Sequence, residues 1–514
     1  MQLSTSNPLR RLPYKWIVVL VVTFGAFMST LDVTVINNAL PSLQHAFATD
    51  LNNLQWIVTA YTLTQGVVTP TTAFFASRLS TKRCYIIALA LFTLGSALCG
   101  FAWNLPVLIL FRVVQAVGGA TLFPLAITLL YAEFPVHQRG LATGLLGISS
   151  LMAPAIGPTL GGYLVTYASW RLIFFINVPL GIVGIILALL LLRPNPSEKR
   201  ARFDLPGFAL AATGLAAVLY ALSNASISGW SSPTVLVTLI GGFCLLAVFV
   251  GVELSIARRG KQPLVELRLF ANGPFLGSNI ASALISFSFF GSLILFPIYL
   301  QELRGLSAFQ SGLFLLPLAF ASVLATIVGG RVVDRFGPRL VLFSGLVLLG
   351  LSTWQLAEAT LTTSSSWLLL IFAVRGLGIG CLIQPLTVSA LSQVQPHEYT
   401  QASSLTTVVR LVFTSLGFAI LATFVQSRAS THLSELVRQA RPQSHAAFAL
   451  FHQQGLSSAV QDAFWLACAA LVLAFIAVCF LRTQKAVASQ EKAGLIGQEA
   501  KTATSDWPVE KERP

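Results

Sequence analysis

Apolar segments of about 20 residues recur along almost the whole chain and are separated by mostly short polar stretches. A helix of about 20 apolar residues spans the hydrocarbon core of a bilayer, whereas membrane β-strands are about half as long. The pattern therefore predicts an all-α polytopic membrane protein. The predicted spans are 16–38, 54–75, 84–103, 105–131, 140–165, 172–193, 205–224, 234–256, 272–300, 308–330, 339–359, 366–391, 404–425 and 462–482.

Basic residues in the polar stretches indicate how the chain is oriented. Arg10, Arg11 and Lys15 precede the first span, and most other Lys and Arg residues lie in the loops after even-numbered spans. Cytoplasmic loops of membrane proteins are enriched in Lys and Arg. Because the number of spans is even, we expect both termini in the cytoplasm and the protein in the cell (inner or plasma) membrane. The polar tail 483–514 is predicted to be disordered.

The composition and the absence of known catalytic motifs exclude several classes of function. Only 10% of the 514 residues are charged, so they could not cover a water-exposed surface. The net charge of +14 is explained by the cytoplasmic loops and does not indicate a nucleic-acid partner. The six cysteines lack the spacing of a disulfide framework or a metal site. We find no phosphate-binding loop, nucleophile–base pair or cofactor motif, so the sequence predicts neither an enzyme nor an ATP-driven pump.

The two halves of the chain resemble each other. The fourth span carries Arg112 and the twelfth carries Arg375, while Arg78 and Arg335 follow the second and the tenth span. This offset of roughly 260 residues exceeds the length of six spans, and it predicts two six-helix bundles with two helices inserted between them. Parallel repeats of this kind are typical of major facilitator transporters. The expected divisions are an N-terminal bundle (1–193), an insertion with its connecting loops (194–268), a C-terminal bundle (269–482) and the tail (483–514).

Three polar residues inside apolar spans are candidates for ion coupling. Asp32 is the carboxylate that lies deepest in an apolar run, and Arg112 and Gln115 share one face of the fourth span. A charged side chain in a membrane helix needs a cavity or a partner, so we expect Asp32 and Arg112 to pair. Burial favours the neutral form of a carboxyl group, which suits the binding and release of a proton. Cation binding by Asp32, or a fixed structural clamp, is the alternative.

The fifth span is rich in glycine and proline. Proline removes a helical hydrogen bond, and glycine permits close approach of a neighbouring helix. The pattern predicts a kinked, closely packed helix that stays in the membrane because apolar residues flank it. The residues concerned are Gly147, Pro154, Gly157, Pro158, Gly161 and Gly162.

Together these segments resemble the drug:proton antiporter-2 branch of the major facilitator superfamily, the fourteen-span multidrug exporters. Residues 31–41 are similar to its first-span signature, 112–120 to its proton-relay motif, 147–162 to its antiporter motif and 170–181 to the start of its sixth span. The resemblance covers about 15–480. It implies proton-coupled export of lipophilic or amphiphilic drugs by alternating access.

The loop after the second span departs from the family pattern. Ser77, Arg78 and Ser80 stand where the family usually has Asp, Arg and Gly, whereas the second copy of the loop keeps its acid. Any charge latch between the halves is therefore expected to use that acid, Asp334. With this degenerate first loop the chain resembles the proton-driven efflux proteins similar to multidrug resistance protein B. Some of those proteins work with a periplasmic adaptor, which the resemblance makes a candidate partner. The predicted cytoplasmic gate consists of Arg78, Asp334, Arg335, Gly337 and Arg339.

A cavity that accepts varied amphiphiles needs apolar and aromatic walls with few polar groups. Lipophilic monocations or neutral amphiphiles are the favoured substrates, because the later spans lack the additional acids of relatives that export dications. The aromatic candidates could equally face lipid or pack between helices. The cavity candidates are Asn37, Trp56, Tyr61, Phe123, Phe287, Phe289, Phe290, Gln384 and Arg410.

Two other functions share these sequence features. An exporter or flippase of lipids or cell-envelope precursors would carry the same motifs, and an uptake symporter would use the same fold in the opposite direction. The fifth-span motif favours export. Sodium could replace the proton, although an aspartate beside an arginine suits a proton better than a cation cage.

Overall fold

Fourteen long helical segments occur among the residues that the structure describes, one at each predicted span. The structure is a computed structural model, and it describes residues 13–49, 51–193, 204–258, 263, 265–440 and 445–480, so the predicted tail 483–514 lies outside the described residues. By length and composition, twelve of the segments can cross a membrane, and α2 and α5 are the other two. The segments are α1 (Tyr14–Phe47), α2 (Leu51–Val68, continued by Thr72–Leu79), α3 (Thr81–Gly100), α4 (Leu105–Glu133), α5 (Arg139–Tyr167), α6 (Leu172–Phe175 and Asn177–Leu191), α7 (Leu205–Ser228), α8 (Pro233–Arg258), α9 (Gly273–Gly291, continued by Leu295–Pro297 and Ile298–Leu303), α10 (Ala308–Phe336), α11 (Pro338–Ala357), α12 (Ser365–Gly380 and Ile383–Leu391), α13 (Tyr399–Ala440) and α14 (His445–Cys479).

Several helices begin at polar residues that satisfy free backbone amides. The side chain of Asn104 accepts a hydrogen bond from the Val107 amide at 2.9 Å and so caps α4. Ser307 and Gln310 form a reciprocal capping box at the start of α10. The first amides of a helix have no partner within the helix, so these residues define where the apolar spans begin.

The helices pack into two six-helix bundles, an N half (α1–α6) and a C half (α9–α14). The core of the C half includes the packed rings of Phe296, Phe372 and Phe464, with the centroids of the last two 4.9 and 6.1 Å from that of Phe296. In the N half, one cluster lies around Phe92 and a second around Phe174. The predicted all-α major facilitator fold is confirmed.

The inserted helices α7 and α8 cover the seam between the two halves. α7 packs against α2 of the N half and against α13 of the C half. The hydroxyl groups of Thr59 in α2 and Ser223 in α7 lie 2.8 Å apart. α8 packs on α7, where Gly242 lies against Val218, and it exposes most of its other surface. The inserted pair therefore lies at the edge of the bundle, where lipid would surround it.

The two halves meet near one end of the helices. We call the end where α1 begins and α14 ends the termini face, and the opposite end the distal face. Near the termini face, the hydroxyl groups of Thr128 in α4 and Thr400 in α13 lie 2.9 Å apart, and the rings of Tyr131 and Tyr399 are 5.3 Å apart. By contrast, the apolar cluster of the N half nearer the distal face contains no described residue of the C half. The described contacts thus close the termini face.

Candidate functional site

A buried polar cluster around Asp32 lies inside the N half. The Asp32 side chain is 3% exposed and accepts a hydrogen bond from Arg112 Nη1 at 2.5 Å. Gln115 Nε2 donates to Asp32 Oδ1 at 2.8 Å, and Asn177 Nδ2 donates to the same oxygen at 3.0 Å. The structure therefore brings together the three predicted coupling residues and adds a fourth, Asn177, from α6.

Four helices contribute to this cluster. Asp32 lies in α1, Arg112 and Gln115 lie one turn apart in α4, and Asn177 begins the second segment of α6. Ser96 in α3 accepts a hydrogen bond from Asn177 at 3.2 Å and donates to the carbonyl of Phe174 at 2.8 Å. The carboxylate is thus held by donors from two other helices, so a change in its charge would alter how α1 packs on α4 and α6.

The Arg112 guanidinium has neutral partners besides Asp32. Its Nη1 donates to Gln115 Oε1 at 2.7 Å, and its Cζ lies 4.1 Å from the centroid of the Tyr61 ring. Cation–π contacts are strongest where the cation is desolvated, and Arg112 is only 1% exposed. Tyr61, predicted as a residue of the substrate cavity, therefore belongs to the Asp32 cluster in this conformation.

The C half contains a similar arginine, and no acid pairs with it among the described residues. Arg375 lies in α12 as Arg112 lies in α4, and it is fully buried. Its Nη1 donates to Thr353 at 2.6 Å and its Nη2 to Ser292 at 2.5 Å. Thr353 occupies the position in α11 that Ser96 occupies in α3. A hydroxyl group of α9 thus replaces the carboxylate of α1, so the two halves differ in the charge of their buried clusters.

The glycines of α5 permit close packing against α1 and against the C half. A Cβ atom on Gly157 would lie 2.2 Å from Thr34 Oγ1, and one on Gly161 would lie 3.0 Å from Val35. A Cβ atom on Gly147 would lie 2.6 Å from Nε2 of Gln384 in the C half. α5 is a continuous helix. Of the other motif residues, Pro154, Pro158 and Gly162 lie in this helix, but their side chains lie outside the described part.

Among the predicted gate residues, Asp334 connects the two halves. It lies near the end of α10, and its carboxylate accepts hydrogen bonds from the amides of Gly140 at 2.8 Å and Leu141 at 2.9 Å. These amides open α5, where the helix dipole favours a negative charge. Asp334 thus joins the C half to the N half at the termini face.

The other gate residues stay within their own half. Arg78 is exposed, and Arg335 and Arg339 lie over the rings of Phe336 and Phe343 in the C half. Gly337 has a φ of +84°, which begins α11. In the first loop, the Ser77 hydroxyl donates to the Phe74 carbonyl at 2.8 Å within α2. Among the hydrogen bonds and ion pairs of the described residues, none joins Ser77, Arg78 or Ser80 to the C half.

Among the predicted cavity residues, Phe123, Gln384 and Arg410 lie where the halves meet. The Arg410 guanidinium in α13 lies 5.3 Å from the centroid of the Phe123 ring in α4. Gln384 is 1% exposed, lies against Gly147, and neither of its amide atoms has a hydrogen-bond partner among the described residues.

The remaining cavity candidates lie elsewhere in this conformation. The Trp56 ring is 5.6 Å from the Tyr220 ring of α7 and so faces the inserted pair. The Phe289 ring lies 5.1 Å from the Arg375 guanidinium and contacts Phe290 edge to face in the C half. Phe287 is half-buried in α9, and the side chain of Asn37 lies outside the described part. Aromatic residue type alone therefore did not identify the residues at the interface between the halves.

A family model of the Major Facilitator Superfamily matches residues 22–418. The chain belongs to this superfamily. It is 34% identical over 412 residues to the multidrug resistance protein B homolog of Mycobacterium tuberculosis (strain ATCC 25618 / H37Rv), a match that covers 78% of this chain and 74% of that protein. It is 27% identical over 462 residues to the lincomycin resistance protein LmrB of Listeria monocytogenes, covering 90% and 95% of the two chains.

A solved structure shows the same fold. The crystal structure of the human organic anion transporter MFSD10 (TETRAN) matches with a TM-score of 0.63 at 14% identity, over 90% of this chain and all of that chain. The predicted similarity to multidrug transporters of the superfamily is confirmed by the relatives. The chain is thus a multi-pass membrane protein of a transporter family, and transport of small molecules is the activity that this membership supports.

Two buried polar groups of this transporter are not predicted by the sequence pattern. Asn177 lies in the segment that resembles the start of the family's sixth span, but its amide was not predicted to reach Asp32. Glu253 in α8 is 1% exposed and accepts a hydrogen bond from the Val265 amide at 3.3 Å. Glu253 lies in the predicted eighth span and was not singled out as a candidate. A polar residue inside an apolar run was the available signal in both cases.

Proposed function

We propose that this transporter is a proton-coupled exporter, an antiporter that moves lipophilic or amphiphilic molecules by alternating access. The observation that carries the proposal is the buried Asp32 carboxylate, which accepts hydrogen bonds from Arg112, Gln115 and Asn177. A carboxylate enclosed in this way changes its surroundings when it takes up a proton. It therefore suits the coupling of proton movement to a change of conformation.

The proton step follows from the hydrogen bonds of the cluster. Protonation removes the charge of Asp32 and replaces one acceptor with a donor. Arg112 then keeps Gln115 Oε1 and the Tyr61 ring but loses its counter-charge. A buried charge that loses its partner is strongly destabilised, so α1 and α4 would move to a packing that hydrates or re-pairs the guanidinium. In the exporter, this change returns the transporter to the conformation that accepts substrate.

The conformational step uses the interface between the halves. In the structure, Asp334 joins α10 to the start of α5, and Thr128 contacts Thr400 at the same face. Opening of this face requires these contacts to break while the distal ends close. Substrate would bind between the halves from the termini face and leave toward the distal face.

Orientation and partners belong to the same proposal. We assign the termini face to the cytoplasm of the cell membrane, because the loops on that face are rich in Lys and Arg. The gate would then be cytoplasmic. The distal extension, which is the part of α13 from Arg428 onward and the part of α14 up to Asp462, would lie outside the cell. Protons, lipid and an amphiphilic small molecule are the proposed partners, and a periplasmic adaptor would have to contact the distal face.

Proteoliposomes with an imposed pH gradient test the proposal. Dye transport by the wild type is compared with that of Asp32→Asn, with Asp462→Asn in the distal extension as the matched control. Gradient-driven export should be lost in Asp32→Asn while dye binding is retained, and Asp462→Asn should behave as wild type. Unchanged gradient-driven transport in Asp32→Asn would contradict proton coupling through this residue. Movement in the opposite direction would indicate uptake, and movement of labelled lipid without any dye would indicate a flippase.

A further inference from the structure

One face of α13 lines the interface between the halves near the middle of the membrane. The Ser403 hydroxyl donates to the Pro124 carbonyl of α4 at 3.3 Å, and the Arg410 guanidinium lies over Phe123. Ser403, Thr406 and Arg410 share one helix face because they are three and four residues apart. Arg410 lies 11 residues from the start of α13, about 17 Å along the helix axis, so it lies well inside the bilayer.

Arg410 lacks a carboxylate partner. No carboxylate oxygen among the described residues lies within 4 Å of its guanidinium, and its described contact is with the Phe123 ring. Asp32 is engaged by Arg112, and Glu253 lies in the inserted pair. The interface between the halves therefore carries an uncompensated positive charge in this conformation.

Other polar groups of the C half lack partners at the same interface. Thr406 Oγ1 is buried and has no hydrogen-bond partner among the described residues. Both amide atoms of Gln384, which lies against α5, also lack one. An intramembrane cation and buried polar atoms without partners are costly unless something binds them. A ligand with a negatively charged group and an apolar body would satisfy these groups and contact Phe123.

We propose that the transporter recognises amphiphilic organic anions, and that Arg410 binds their carboxylate or sulfonate group between the halves. This inference rests on the proposed export function and names its substrate class. It replaces the expectation of lipophilic monocations, because a cation at this place would be repelled by Arg410 and would find no carboxylate beside it. A guanidinium offers paired donors to such a group, which a lysine offers less well.

Two xanthene dyes of opposite charge test the substrate class. Purified full-length protein is reconstituted in phosphatidylcholine liposomes, which contain no anionic lipid. These liposomes are loaded with fluorescein or with the cationic methyl ester of rhodamine. Transport is measured for wild type, Arg410→Met and Arg410→Lys. Arg428→Met is the matched control, because Arg428 lies on the same helix but pairs with Asp462 in the distal extension. Size-exclusion chromatography and thermal unfolding confirm that each variant is folded.

The outcomes separate this inference from the proposed function. We expect the wild type to move fluorescein, Arg410→Met to lower the rate about tenfold or more, and Arg410→Lys to lower it less. The control should match the wild type. If the wild type shows proton-driven transport of the rhodamine ester but does not transport fluorescein, organic anions are excluded as the substrate class. The exporter proposal then remains intact. If Arg410→Met transports fluorescein at the wild-type rate, Arg410 is excluded as the recognition residue. Failure to move either dye would overturn the proposed function itself.

Discussion

Ser80 and Gly337 share a backbone conformation at the same point of the two halves. Ser80 has a φ of +77° and precedes α3, whereas Gly337 has a φ of +84° and precedes α11. This region is favourable for glycine and costs about 1–3 kcal/mol for other residues. The Ser80 hydroxyl does not cap α3. The turn before α3 therefore has the same backbone conformation as the turn before α11. In the first turn this conformation falls on a serine, and no capping hydrogen bond from its side chain offsets the strain.

We expect Ser80→Gly to stabilise the protein by about 1 kcal/mol, because glycine relieves the strained backbone. The reverse change, Gly337→Ser, should destabilise it by a similar amount. Thermal unfolding of the detergent-purified variants measures both effects. A lower midpoint for Ser80→Gly would show that the serine side chain contributes more than its backbone costs.

Asp334→Asn should weaken the closure of the termini face. The change removes the negative charge and leaves one carbonyl oxygen for the two amides of Gly140 and Leu141. Hydrogen bonds to charged groups are worth about 1.5–3 kcal/mol, so the equilibrium between the closed and the open state should shift about tenfold or more toward the open state. Spin labels at the exposed residues Val136 and Leu340, in a cysteine-free background, should show longer distances.

Arg335→Gln is the control for this measurement. Arg335 neighbours Asp334 but is exposed and contacts Phe336 of its own half. Its label distances should match those of the unsubstituted protein. Equal distances in Asp334→Asn would instead show that the helix packing closes this face without the carboxylate.

Asn177→Ala should impair proton-driven transport several-fold without unfolding the protein. The change removes one of the donors to Asp32 Oδ1 and the hydrogen bond to Ser96, so the carboxylate loses a positioning contact. Asn279→Ala is the matched control, because Asn279 is buried in the C half and donates to the Phe275 carbonyl of its own helix. Dye flux at several external pH values measures the effect. Identical pH profiles for Asn177→Ala and wild type would assign Asn177 a purely structural role.

Gly157→Ala should destabilise the packing of α1 on α5 by about 1–3 kcal/mol, because the new methyl group would overlap Thr34. Gly251→Ala in α8 is the control, since no atom lies within 4 Å of the added carbon. That change should stabilise its helix by about 0.5–1 kcal/mol. Opposite shifts of the unfolding midpoint are expected. A stable Gly157→Ala would mean that the two helices can separate at little cost.

If one proton enters for each monovalent anion that leaves, transport moves two elementary charges per cycle. A potential that is negative on the termini face then favours export by about 4.6 kcal/mol per 100 mV, twice the value for a single charge. Potassium and valinomycin impose this potential in proteoliposomes without a pH gradient. Export of a singly charged carboxylate dye should accelerate, and Asp32→Asn should reduce the dependence of its rate on the potential. An export rate that does not depend on the membrane potential would contradict this charge balance.

The sequence by itself determined the helices and most of their polar landmarks. Apolar runs long enough to cross a bilayer have few alternatives, because backbone polar groups must be satisfied inside lipid. The spacing of Arg112 and Gln115 placed both on one face of α4. Because an arginine inside the membrane needs a counter-charge, Asp32, the carboxylate deepest in an apolar run, was the expected partner of Arg112. The repeat between Arg112 and Arg375 likewise indicated two bundles. These features depend on local periodicity and on the high cost of an unpaired charge in lipid.

Only the tertiary structure decided which distant residues meet. Asn177 reaches Asp32 across the bundle, Tyr61 lies under Arg112 instead of lining a cavity, and Trp56 faces the inserted pair. The arrangement of α7 beside α2 and α13 also has no sequence signal. Rotation of each helix about its axis is set by packing against neighbours far apart in the chain. The partners of Asp32 and the isolation of Arg410 therefore follow from that packing.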